Sequence, residues 1–427
     1  MAEAFISPHY HSLVDRLNRF PQGAPSSDSL YRILEILFSE REAELVAQLP
    51  IKPFTAEKAA RIWKQDLTTA RKTLDELASR AILVDVERPD GRLTYTLPPP
   101  MAGFFEFSMM RVRDDVDQHM LANLYYQYCT VEEDFMDALV GDGETQLGRV
   151  FVNEPVIPPN VEVLDYERAS EVIRTATHRG ISRCYCRYKL DEADDAQACD
   201  APQDICMTFN GAGSALIRHG FAREVDVAEG LDLLAKAQAH NLVQFGENIR
   251  EGVGFICNCC GCCCEAMIAA RRFALDRPIN TTHFMPVVNT DTCTGCGKCV
   301  DVCPIEAMGL VSANDAAHGR AKIARVNPEI CLGCGVCARA CPTGSITLEE
   351  RETRTITPYD GVHRAAMMAI ERGTFQDLIF DNRVLWSHRT LAALLGAVLK
   401  MPPVKQIMAT EQVRSRYLEA LVRRLNV

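Results

Sequence analysis

Two runs decide the reading of this chain: Cys293-Thr-Gly-Cys296-Gly-Lys-Cys299-Val-Asp-Val-Cys303-Pro304 and Cys331-Leu-Gly-Cys334-Gly-Val-Cys337-Ala-Arg-Ala-Cys341-Pro342. Both have the spacing C-x2-C-x2-C-x3-C-P. Three thiolates two residues apart let one tight loop wrap three corners of an iron–sulfur cubane, and the fourth Cys of each run reaches the other cluster. Gly295, Gly297, Gly333 and Gly335 supply the backbone freedom that wrapping needs, and their amides can donate to sulfur. Pro304 and Pro342 then turn the chain away. The spacing therefore predicts one [4Fe–4S] cluster on Cys293, Cys296, Cys299 and Cys341, and a second on Cys331, Cys334, Cys337 and Cys303. Zinc knuckles would show isolated C-x2-C pairs, not two four-Cys runs ending in Pro.

On these residues, segment 287–350 resembles the bacterial dicluster ferredoxin domain. The resemblance implies a ferredoxin-like fold and low-potential, one-electron chemistry. The 27 residues between Cys303 and Cys331, which include His318 and Gly319, make a long insert that leaves the ligand pattern intact.

Ten more cysteines lie between residues 184 and 264. Cys184-Tyr185-Cys186-Arg187 is followed by Cys199-Asp-Ala-Pro202 and Cys206. Then comes Cys257-Asn-Cys259-Cys260-Gly261-Cys262-Cys263-Cys264. Ten thiols exceed the need of one cubane, and neighbours such as Cys259 and Cys260 point different ways, so they more easily serve two sites. The leading expectation is two further [4Fe–4S] clusters drawing on Cys184, Cys186, Cys199, Cys206, Cys257, Cys259, Cys260 and Cys263. One further cluster is the alternative, so the total is three or four. The layout over about 160–270 resembles a Cys-rich domain found ahead of dicluster ferredoxins in iron–sulfur proteins of anaerobes. It implies a cofactor class but no reaction. Cys259-Cys260-Gly261 is similar to the CCG motif of heterodisulfide reductase, although the other spacings do not fit that motif. Arg187 beside the first loop reads equally as a cation favouring a reduced cluster or as a surface ion-pair residue. Cys129, alone in a helical pattern, reads as a core thiol.

Working outward, the 427 residues suffice for several domains. Residues 1–28 read as a leader. Residues 29–100 read as a helix over about 30–48, two shorter helices at about 55–64 and 66–80, and a hairpin around Pro89-Asp90-Gly91. That order resembles a winged helix. Residues 101–160 form a helical connector, 161–280 a Cys-rich unit of helices with its cysteines in loops, and 351–427 a helical C-terminal region. The expected fold class is α+β, mainly helical and multidomain.

Net charge is −11, which argues against generic nucleic-acid binding. Residues 351–427 nevertheless carry a net +5, leaving −16 elsewhere. That basic region, with Arg414, Arg416, Arg423 and Arg424, suggests docking to a partner or to a membrane surface. Residues 29–97 balance 11 basic against 11 acidic residues, whereas a DNA reader should carry a basic stripe. Crowded cysteines in runs imply metal in a reducing compartment, not disulfides, and no segment reads as a signal peptide or a membrane span. A cytoplasmic protein is expected. No GxGxxG after a strand, P-loop, catalytic triad or H-E-x-x-H stands out. The first expectation is therefore an electron-transfer protein or subunit serving a partner oxidoreductase. Two others stay open: an oxidoreductase with its own site in the Cys184–Cys264 cassette, and an iron–sulfur DNA-binding redox sensor.

Overall fold

The computed structural model describes residues 6–88, 90–140, 143–159, 161–194, 196–273, 278–315, 320–352, 355–380 and 390–394. The basic segment with Arg414, Arg416, Arg423 and Arg424 lies outside the described residues.

The N-terminal third is helical. The segment expected as a leader contains α1 (Pro8–Leu17), whose Tyr10, Leu13, Val14 and Leu17 are buried. The single helix expected over 30–48 is two, α2 (Asp28–Leu37) and α3 (Glu40–Ala47). Phe38 turns extended, and Ser39 opens the second helix with a capping box to Glu42, a local start signal strong enough to override apolar periodicity. Next come α4 (Ala56–Trp63) and α5 (Leu67–Ser79), then the antiparallel hairpin β1 (Val84–Glu87) and β2 (Leu93–Thr96). The connector breaks into α6 (Phe105–Met109), α7 (Gln118–Tyr126) and α8 (Asp134–Val140). Its aromatics close the core: Phe105 contacts Phe104, Tyr125, Tyr128 and Phe135. Cys129 is buried in the same core.

The Cys-rich unit departs most from the expectation of helices joined by cysteine loops. Its frame is a six-stranded antiparallel sheet in the order β3-β7-β8-β5-β4-β6. The elements run β3 (Gly148–Val150), α9 (Ala169–Thr175), β4 (Arg179–Arg183), α10 (Tyr185–Glu192), β5 (Asp204–Phe209), α11 (Asn210–Arg218), β6 (Arg223–Glu224), α12 (Val227–Ala239), β7 (Val243–Glu247), β8 (Phe255–Cys259) and α13 (Glu265–Arg272). Cys206 lies on β5 and Cys257 and Cys259 on β8. Period-2 alternation is masked there because cysteine and asparagine fill positions where apolar and polar residues would mark the faces.

The C-terminal third holds β9 (Phe284–Val288), α14 (Lys298–Asp301), the hairpin β10 (Met308–Asp315) and β11 (Arg320–Val326), α15 (Val336–Ala340) and β12 (Ile346–Glu350), with β12 pairing β9. Two helices, α16 (Gly361–Glu371) and α17 (Phe375–Ile379), follow. The first clamps the other units together. Arg364 donates to Leu147 O at 3.0 Å and to Glu247 at 2.8 Å, and Arg372 donates to Ala138 O and Leu139 O, both at 2.9 Å. Among the described residues no helix is long and apolar enough to cross a membrane.

The β1–β2 hairpin packs inward on α11. Arg218 donates to Asp85 at 2.6 Å, the His219 ring lies 3.1 Å from the same carboxylate, and Val86 sits against Gly211. Asp85→Ala removes the acceptor and should destabilise the intact chain by about 1–3 kcal/mol, read as a lower denaturant midpoint with cluster absorbance unchanged.

Candidate iron–sulfur centres

The two C-terminal loops are built alike. Gly295 and Gly333 take φ of +67° and +71°, and a Cβ on either would come within 2.1 Å of a carbonyl oxygen, Lys322 O or Phe284 O. Glycine is the residue that lets each loop curl this tightly against the backbone beside it. The curl gathers Cys293, Cys296, Cys299 and Cys341 around one small cavity, and Cys303, Cys331, Cys334 and Cys337 around another. Backbone amides point at the sulfurs: Ala324 N at Cys293 Sγ (3.4 Å), Ala307 N at Cys303 Sγ (3.2 Å) and Ser345 N at Cys341 Sγ (3.3 Å). Such donors offset the charge of thiolate-bound iron. Burial raises the Cys334 thiol to about 12, so the bare thiol stays protonated at neutral pH and needs a metal cation to become a ligand thiolate.

The cassette cysteines divide into two groups. Six are neighbours around a closed ring in the order Cys184, Cys186, Cys264, Cys259, Cys257, Cys206. The sheet assembles half of it. Met207 pairs with Ile256 between β5 and β8, which brings the next residues outward, Cys206 and Cys257, side by side. Cys257 and Cys259 alternate onto one face of β8. Cys184 and Cys186 come from the start of α10, and Cys264 caps α13, 3.0 Å from Cys259. The ring alternates in proton affinity. Contact with their ring neighbours holds Cys184, Cys257 and Cys264 below the usual thiol range and pushes Cys186, Cys206 and Cys259 up.

The other four, Cys199, Cys260, Cys262 and Cys263, have sulfurs all within 4.8 Å of one another. Spacing alone left Cys262 and Cys264 out of the candidate set; the fold brings each into a sulfur group. It also sends the neighbours Cys259 and Cys260, and Cys263 and Cys264, to different groups. The signal for that split is the register of β5 on β8, which linear spacing does not carry.

Arg187 lies between the two groups. It is 1% exposed, so it is no surface ion-pair residue. It donates to Pro202 O and to Asn258 O, both at 2.9 Å. Burial pulls its pKa down, but the Cys184 and Cys260 sulfurs outweigh that and raise it.

All six ring cysteines also line a mostly apolar cavity of about 250 Å³ that reaches to Arg364. Three carboxyls line it; Glu247 is paired with Arg364, and Glu106 and Glu265 remain. Glu106 accepts from Ala102 N (2.6 Å) and Gly103 N (2.9 Å) and lines this cavity. Burial pushes it up to about 8 against the pull of those amides. Glu265 is 3% exposed; its Oε1 takes Lys189 and Tyr185, while the buried Oε2 has no partner.

The cassette and the C-terminal module meet directly. Cys259 and Cys264 share one buried core with Cys331, and Cys303 and Cys334 pack against it. Gly261 is pressed on Pro304 so closely that a Cβ would lie 2.8 Å from the proline Cα, and Arg271 donates to Pro304 O at 3.2 Å.

Residues 292–345 match the model of the 4Fe-4S dicluster domain family. No curated protein matches the chain, and no solved structure matches it. Fold and site together define an iron–sulfur protein. Its two looped four-cysteine sets make it a carrier of multiple [4Fe–4S] clusters with an electron-transfer role, and further cysteine groups stand beside them.

A carboxyl whose pKa rises from 4.5 to about 8 on folding binds more protons folded than unfolded. Its stabilising contribution is full below about 4.5 and is lost as pH rises through about 8. The thermal midpoint of the wild-type chain should therefore fall between pH 5 and pH 9. Glu106→Gln, which keeps one acceptor for the loop amides, should flatten that slope.

Proposed function

We propose that the chain is a relay that passes single electrons between a redox partner and the cassette by way of the dicluster module. The observation that carries this reading is the shared core of Cys259, Cys264 and Cys331, with Gly261 seated on Pro304. When bound, the clusters supply one-electron chemistry at low potential, on the order of −400 mV for ferredoxin-like sites within a wide range. The chain's own residues hold that chemistry in place. Gly295 and Gly333 fix the loops, the amides of Ala307, Ala324 and Ser345 bond to sulfur, and Arg187 sets a buried positive charge beside Cys184 and Cys260. The six-sulfur ring is the cassette's cluster site in this reading. It offers two thiols beyond the four of one cubane. The basic C-terminal segment is proposed, on charge alone, as the docking surface for a partner oxidoreductase, and the compartment is proposed to be the cytoplasm.

A second reading, substrate reduction within the cassette, is favoured by the cavity beside the ring. Its apolar walls suit a molecule with a hydrophobic body. Glu106 could hold a proton near neutral pH, and the unpartnered Glu265 Oε2 is a place for a polar group. The DNA-binding reading has less support. The exposed face of α5 pairs its cations with acids, Arg71 with Glu57 and Lys72 with Glu76, and the hairpin is spent on α11. We therefore propose that residues 29–100, for all their winged-helix order, act as a packing and docking module and do not bind nucleic acid.

The relay is tested on anaerobically purified protein by iron content and by EPR of the dithionite-reduced state. At least about eight irons per chain and magnetically interacting reduced centres are expected; fewer irons, or signals that saturate as isolated centres, overturn it. Arg187→Gln should lower the potential of a cassette centre by tens of millivolts, because the reduced, more negative form loses its cation. Arg187→Lys should restore most of that shift in a redox titration.

A further inference from the structure

The geometry points to a single-ion metal site, separate from any cubane, at Cys199, Cys260, Cys262 and Cys263, with zinc as the ion. The first argument is sulfur spacing. Four thiolates about one ion with metal–sulfur bonds of about 2.3 Å lie about 3.8 Å apart at the corners of a tetrahedron. A cubane gives each thiolate its own iron and spreads the sulfurs wider. Cys199, Cys260, Cys262 and Cys263 all lie within 4.8 Å of one another. The chain contains its own standard for comparison. The eight cysteines in the segment matching the 4Fe-4S dicluster domain are all among the described residues, and they form no group of three or more within that distance.

The local chain supports the same assignment. Cys260 and Cys263 stand in C-x2-C spacing across the turn that Gly261 makes against Pro304. Cys262 and Cys263 sulfurs are 3.6 Å apart, and Cys199 N donates to Cys263 Sγ at 3.4 Å. A divalent ion with four thiolates keeps two negative charges, and the Arg187 guanidinium stands beside Cys260 and Cys199 to meet them. Four protein ligands leave no open position, which marks a structural site. Tetrahedral four-sulfur coordination suits zinc or iron, and the affinity order of divalent ions places zinc above ferrous iron.

The role follows from what the four residues join. Cys199 lies in the irregular stretch between α10 and β5, and the other three follow β8. An ion there staples the first to the second. That stretch also presents Pro202 O to Arg187, so the staple sets the cation beside the six-sulfur ring and fixes Cys260 in the cavity wall.

The test uses the full chain, purified anaerobically, with zinc, iron and acid-labile sulfide measured together. About one zinc per chain is expected, lost in Cys262→Ser and in Cys199→Ser with iron and sulfide unchanged. Cys262 is exposed, so its substitution leaves the core intact. Zinc-edge X-ray absorption on the wild-type chain should show a shell of sulfur alone and no neighbouring metal. One sulfide-free tetrahedral iron, seen by Mössbauer spectroscopy and lost in the same variants, also supports a single-ion site. Loss of about four irons with their sulfides in Cys262→Ser, or no change in any metal in either variant, overturns it. None of these outcomes alters the iron count expected of the dicluster loops, so this inference and the relay fail separately.

Discussion

Thiolates repel one another, and eighteen of the nineteen cysteines of this chain fall between residues 184 and 341. Burying that much potential negative charge is tolerable only where cations, N–H donors or shared protons answer it. Each sulfur group has its own answer. The dicluster loops aim backbone amides at sulfur. In the six-membered ring neighbouring sulfurs share protons, as Cys264 does with Cys259. The tight group of four lies along a buried guanidinium. The glycine loops, the carbonyls fixing Arg187 and the amide-rich turns serve these arrangements more than they serve the apolar core.

The six-stranded sheet makes the cassette possible. Its strand order draws cysteines from β5 and β8 into contact, and its helices deliver the rest from their first turns. The N-terminal helices and α16 then wall the space in front of the ring. A hairpin that would be a free wing elsewhere is held by Arg218 and His219, so the N-terminal unit belongs to the body of the protein and closes the cavity from one side.

How much of this the sequence discloses depends on how local the determinant is. The dicluster loops are legible because chelation there is short-range: ligands two residues apart, glycines between them and a proline after them. The split of the helix at Phe38–Ser39 was also written locally, in the Ser39 and Glu42 capping box, but the apolar repeat through Leu37 and Phe38 hid it. The cassette is different. Cys206 meets Cys257 through strand register across about fifty residues, and α10 brings Cys184 and Cys186 to strands that follow it in the chain. The sheet itself was concealed because Cys257, Asn258 and Cys259 do not advertise an inner and an outer face. Arg187 stood out beside its motif, yet its burial depends on Pro202 and Asn258, which no spacing connects to it.

The walls of the ring have a consequence for how the protein is made. The six sulfurs come from residues 184–264, but the cavity in front of them is also lined by Met101, Met136 and Arg364. Iron and sulfide delivered to that ring have the freest approach before the last of these walls is in place. The N-terminal part leaves the ribosome first and the clamp of α16 after every cysteine. Chain order thus favours metal insertion before α16 adds Arg364 to the wall.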